Sequence, residues 1–148
     1  MEAETVLEEL SQDDLTQGHV VHRVEDWVGR INQLYTQIEQ WLPERWTARP
    51  GVQLTVQEAL MKKMGVPGRQ LPTRELMYDG MVRGQLVPHA LWIIGANGRI
   101  DLFVPTGLYL IVDRAKLFAP PDWQIAAMKV RQNVAPLSAD TFRKILLA

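Results

Sequence analysis

The stretch ALWIIGANGRIDLFVPTGLYLIVD, residues 90–113, decides the fold. Its three runs rich in β-branched and aromatic residues, Leu91–Ile94, Ile100–Val104 and Leu108–Val112, are separated by turn-forming residues, the pattern of consecutive antiparallel strands. Asn97-Gly98 is a favoured pair for a two-residue hairpin turn, because both positions tolerate positive φ. That turn sets Ala96 against Arg99, Ile94 against Asp101 and Trp92 against Phe103. The second turn, Pro105-Thr106-Gly107, reads as two residues or as three, and the choice decides which side chains share a face. Two residues put Tyr109 and Asp113 among the aliphatics. Three residues, with Gly107 in a left-handed bulge, gather Leu91, Ile93, Ile100, Leu102, Val104, Leu108, Leu110 and Val112 on one aliphatic face. The opposite face then carries Trp92, Ile94, Arg99, Asp101, Phe103, Tyr109, Ile111 and Asp113, with Asp113 opposite Arg99. The three-residue turn is preferred because it separates a core face from an amphipathic one.

A sheet with one aliphatic face needs a cover, and the chain supplies it upstream. Val20, Val24, Trp27, Ile31, Leu34, Ile38 and Trp41 recur at alternating steps of four and three, flanked by Val21, Val28, Tyr35 and Leu42. This stripe is wider than a two-stranded coiled-coil seam, so it suits a sheet, a bundle or a homodimer interface. Pro43 ends the helix, since the residue before proline is driven out of the α region. The polar side, Arg23, Asp26, Arg30, Gln33, Gln37 and Gln40, reads as solvated. Thr55 and Glu58 have the spacing of a capping box for a short helix to about Met64, stopped by Gly65 and Pro67. Between Thr73 and Val87 the pattern fits a short helix ending at Gly80 or a hairpin turning at Asp79-Gly80, and the helix is favoured. Trp123–Val130 reads as a fourth strand, and Ser138 or Asp140 starts a terminal helix, Thr141–Leu147, burying Phe142, Ile145 and Leu146. The expected architecture is α+β: a three- to four-stranded antiparallel meander packed by a long N-terminal amphipathic helix and a short C-terminal one. Residues 1–17 form an acidic arm and residues 18–148 a single domain.

Composition narrows the function. At 148 residues, 47% hydrophobic and 22% charged, the chain is long enough for one core and too apolar for wholesale disorder. The absence of cysteine removes disulfides, thiolate metal sites, iron–sulfur clusters and cysteine nucleophiles, and accords with a cytoplasmic location. No basic-then-apolar leader and no long apolar run appears, so neither secretion nor membrane spanning is expected. Charge is asymmetric: residues 1–16 hold six acids and no Lys or Arg, whereas residues 17–148 hold 16 bases and 11 acids. An acidic arm beside a basic body suggests an arm laid across a basic surface, or else a solvated acidic segment.

Two constellations on the meander could carry chemistry. Trp92, Phe103 and Tyr109 offer flat surfaces, with Arg99, Asp101 and Asp113 as charges, a candidate face for a peptide or a base, or a face simply covered by residues 114–148. Residues 98–116, with Asp101, Asp113 and Lys116, resemble the catalytic hairpin of restriction-endonuclease-like enzymes, which implies two metal-binding acids and a lysine beside the attacking water. The motif departs from that family because two residues, not one, separate Asp113 from Lys116, which puts them on opposite faces of a regular strand. His19, His22 and Glu25 fan around the helix rather than converging on a metal. No nucleophile elbow and no phosphate-binding glycine loop is present. With five tryptophans, the expectation is a cytoplasmic protein-interaction or regulatory module without catalytic activity or cofactor. It would self-associate or bind a protein through Trp27, Ile31, Leu34, Tyr35, Ile38 and Trp41. The alternative is a metal-dependent nuclease or nucleic-acid-binding protein.

Overall fold

The seven-residue rhythm of the stripe is realised as α1 (Gln17–Trp41), which Thr16 starts by accepting a hydrogen bond from the His19 backbone at 3.1 Å. It stops where Leu42, before Pro43, turns extended. The computed structural model describes residues 16–148, so nearly all of the acidic arm expected at residues 1–17 lies outside the described residues. The chain continues through β1 (Trp46–Pro50), β2 (Leu54–Val56), α2 (Ala59–Lys63), β3 (Arg69–Leu71), β4 (Arg74–Tyr78) and β5 (Met81–Ile93). Then follow β6 (Ala96–Val104), β7 (Gly107–Asp113), β8 (Trp123–Ala127), a 3-10 turn (Met128–Val130), β9 (Ala135–Pro136) and α3 (Ala139–Leu147).

The sheet is larger than the meander expected from residues 90–113. Seven antiparallel strands run in the order β1-β4-β5-β6-β7-β8-β9, with β2 and β3 forming a separate pair. A three- to four-stranded sheet is therefore incorrect. The missed strands are short or polar: β1 is Trp-Thr-Ala-Arg-Pro, and β4 joins β5 through Asp79-Gly80, both at positive φ, where a helix end had been favoured. β8 stands where a fourth strand was expected.

Both turns of the meander also differ. Ile93 pairs with Ala96 and Trp92 with Asn97, so the first turn is Ile94-Gly95, with Ile94 84% exposed and Gly95 at φ +85°. One left-handed glycine suffices there. Asn97-Gly98 instead lies within β6, where a bulge at His89 shifts the pairing so that Asp101 faces Val87 and Phe103 faces Gln85. The second turn is the two-residue form: Val104 pairs with Gly107 and Leu102 with Tyr109. Tyr109 and Asp113 consequently share the inner face with Ile100, Leu102 and Ile111.

The three α-helices among the described residues all contribute to one core on that inner face. Trp27, Ile31, Leu34 and Ile38 of α1, Met61 of α2, and Phe142 and Leu146 of α3 pack with Leu86, Leu91, Ile100, Leu102, Ile111 and Ile125. Ser138 caps α3 in a reciprocal box with Thr141. The box expected at Thr55–Glu58 is not formed. Thr55 lies in β2, and the Glu58 carboxylate accepts the Leu91 and Trp92 backbone N–H groups at 2.9 and 3.2 Å. It thereby satisfies two donors of β5 beyond the reach of β4.

Helix and sheet meet closely at Gly98, at φ +107°, where an added Cβ would clash with the Trp27 indole nitrogen. Gly98→Ala must move a buried tryptophan and strain its own backbone, and should cost about 2–4 kcal/mol, read as a lowered urea midpoint. An unchanged midpoint would contradict this packing.

Candidate binding face

Strand alternation defines the face opposite the helices. Directly paired residues point the same way, which places Gln85, Val87, Arg99, Asp101, Phe103, Leu108, Leu110, Val112, Gln124 and Ala126 together on the outside. The helices bury their residues on the other side. At its centre Asp101, Leu110 and Ala126 form a screened floor, while Gln85, Phe103 and His89 are exposed at the rim, Phe103 by 42%.

One charged group stands in this apolar floor. Asp101 takes Arg99 Nε at 2.7 Å and Nη2 at 3.3 Å, and His89, turned in by the bulge, brings Nδ1 within 3.5 Å of the same carboxylate. A carboxylate with low exposure in an apolar setting needs such partners. The pair is a fixed dipole inside a hydrophobic ring.

The other expected members of the face lie elsewhere. Tyr109 and Asp113 are on the inner side, and Trp92 lies beneath α1, with the Arg23 guanidinium 5.8 Å from its ring centroid. Val112 takes the place opposite Arg99 that was expected of Asp113, and Asp113 pairs on its other side with Trp123 of β8. It is fully buried and accepts from Arg30 Nη1 at 2.9 Å, from the Ala115 N–H at 3.0 Å and from the Asp122 N–H at 2.8 Å. Arg30 also donates to Asp26 at 2.7 Å and to the Ala119 carbonyl. The acid thus closes the loop 114–122 and ties it to α1. Asp101 and Asp113 therefore face opposite sides of the sheet, each neutralised by its own arginine, and the nuclease-like set is not assembled. Among the described residues no group of three His, Cys, Asp or Glu side chains could hold a metal ion.

The helix face expected to be an interface is spent on the core. Trp27, Ile31, Leu34, Tyr35 and Ile38 are each no more than 2% exposed. Tyr35 donates its hydroxyl to the Pro72 carbonyl at 2.9 Å, and burial pushes its phenol well above the usual range, against the opposing pull of Arg74. Trp41 is half-buried, its ring centroid 6.3 Å from that of Phe142.

Arg23 and Arg30 escaped the sequence reading, which placed them on a solvated side. Their spacing of seven residues beside the apolar stripe is the signal that they share its flank. Burial depresses the Arg23 pKa and neighbouring Arg30 adds to this, opposed by Asp26 and Glu58. Comparison of the chain with protein-family models, with curated proteins and with solved structures finds no match.

Removing the Asp113 carboxylate strands the Arg30 guanidinium. Asp113→Ala should therefore cost about 3–5 kcal/mol in chemical denaturation, while the double change Arg30→Met/Asp113→Leu should recover most of the loss. Equal instability of single and double variants would show that loop closure, not charge, dominates.

Proposed function

We propose that this protein is a non-catalytic interaction module that binds a protein partner through the outer face of its sheet, a second copy being the first partner to test. The observation that supports the reading is a sheet face that no helix among the described residues covers, with an apolar floor, an exposed aromatic at its rim and the fixed Arg99–Asp101 pair at its centre. Such a face offers dry contact area, and the ion pair penalises partners that cannot meet it. The same patch meeting itself across a two-fold axis would close without leaving sticky surface. Absence of cysteine and of any helix long and apolar enough to cross a membrane, among the described residues, is compatible with work in the cytoplasm. A non-catalytic role accords with charges on this face that are neutralised by one another rather than poised beside a nucleophile.

The test is light scattering coupled to size-exclusion chromatography over a wide concentration range. The full chain should show a concentration-dependent dimer. Phe103→Asp should shift it to monomer without lowering the unfolding midpoint, because Phe103 is exposed. If the full chain stays monomeric, a photoreactive phenylalanine analogue at position 103 should capture a different protein in cells. Failure of both results overturns the reading.

A further inference from the structure

One end of the large sheet gathers exposed apolar side chains and cations that no described carboxylate meets. At this end β5 starts, β6 ends, β7 starts and β8 ends, as the pairs Gln85 with Phe103, Val104 with Gly107 and Tyr109 with Ala127 fix. β9 returns along β8 with Ala135 beside Ile125, so the intervening residues 128–134 lie at the same end. Three segments therefore form the rim: residues 80–85, residues 104–108 and residues 127–135. They hold Arg83, Lys129 and Arg131 and no Asp or Glu.

All three cations are exposed, and among the described residues none has an ion pair, Arg131 reaching the Met128 sulfur at 3.0 Å. The acids nearest the rim are Asp79, which Arg45 holds at 2.9 Å, and Glu44, before β1 at the edge of the sheet. Apolar side chains stand among the cations: Met81 is 64% exposed, and Val82, Val130 and Val134 are exposed as well. Val82 directly precedes Arg83, and Val130 lies between Lys129 and Arg131. Each cation thus has an aliphatic neighbour.

The spread of the rim selects its occupant. Strands about 4.8 Å apart put β5 and β8 about 14 Å from each other, so Arg83 and the pair Lys129 and Arg131 do not converge on one small anion. They suit an extended surface that carries many negative charges over apolar material. A bilayer with anionic headgroups has that layering: aliphatic side chains enter the boundary between headgroup and acyl chain, while Lys and Arg stay at the charged layer. Nucleic acid would favour rings between the cations, and the side chains interleaved here are aliphatic, Phe103 belonging to the outer face.

We propose that this rim is a docking surface for anionic membrane, with Met81, Val82, Val130 and Val134 entering the interface and Arg83, Lys129 and Arg131 meeting the headgroups. The contact is superficial, since no helix among the described residues is long and apolar enough to cross a membrane. Each cation contributes about fivefold to vesicle affinity, and added salt weakens that share.

The chain has no cysteine, so a single one takes an environment-sensitive dye at a chosen place. The full chain is labelled at Met81→Cys or at Ile94→Cys, in the turn at the opposite end of the sheet, and titrated with phosphatidylcholine vesicles with or without phosphatidylserine. With phosphatidylserine present, the label at position 81 should brighten and shift to the blue while the label at position 94 stays unchanged, and phosphatidylcholine alone should move neither. Arg83→Gln/Lys129→Gln/Arg131→Gln should weaken cosedimentation with the phosphatidylserine vesicles about a hundredfold. Its unfolding midpoint should match that of the native chain, because all three side chains are exposed. No response at position 81 overturns the proposal, as does an equal response at both positions or an undiminished affinity in the triple variant. A label at position 81 that answers to single-stranded DNA or polyglutamate but not to vesicles also overturns it, and assigns the rim to a soluble polyanion.

Discussion

The buried ion pair between Arg30 and Asp113 holds helix, sheet and loop in one arrangement. Asp113 is the last residue of β7, and its two oxygens serve Arg30 of α1 and the two backbone amides that bracket the loop 114–122. An ionised pair removed from water contributes little net stability, but separating it is severe. Its influence is therefore on specificity. Lengthening the β6–β7 turn by one residue would rotate all of β7 to the opposite face. Asp113 would then point away from α1, Arg30 would be left among apolar neighbours, and Tyr109 would exchange places with Leu108 and Leu110. The aliphatic segregation that favours the longer turn is worth less than the pair it would break.

That register settles what the outer face can be. With Asp113 drawn inward, the acid that β6 and β7 leave on the outer face is Asp101, and Arg99 two residues before it on the same strand is positioned to neutralise it. Asp113 pairs with Trp123 rather than with a second outer charge, and Val112 opposite Arg99 adds to the apolar ring. The face that results is less polar than the one the sequence pattern suggests, and its exposed aromatic is Phe103 rather than Trp92. One turn residue thus decides between a charge-rich platform and a hydrophobic trough with the Arg99–Asp101 pair at its centre and the Arg49–Glu75 pair towards β1.

The readable parts of this fold were those written in long or reciprocal patterns. The seven-residue period over α1 could not be satisfied by any other element, and Ser138 with Thr141 marks α3 by local chemistry alone. The strands of residues 90–113 were equally plain, whereas their turns were not. Asn97-Gly98 carries a strong local turn signal, yet Gly98 is needed at its place by the Trp27 indole, a contact across many residues that no window of sequence contains. β1 and β4 were invisible because each is short and polar on one side, and their pairing, not their composition, makes them strands. Of the candidate site, Arg99, Asp101 and Phe103 were found on the outer face, while the shorter second turn carried Tyr109 and Asp113 to the other side and Trp92 packs against the core beside Arg23 of α1.

Arg23 and Arg30 show that one flank of a helix can meet two guanidinium groups in different ways. They sit two turns apart on the same flank of α1, both nearly buried, and both would be expensive to leave unpaired. Arg30 finds two carboxylates and a carbonyl within the fold. Arg23 finds an indole face, which attracts a cation but supplies no acceptor for its N–H groups. A helix built only to cover a sheet would gain from an apolar residue at that position, as the stripe beside it shows.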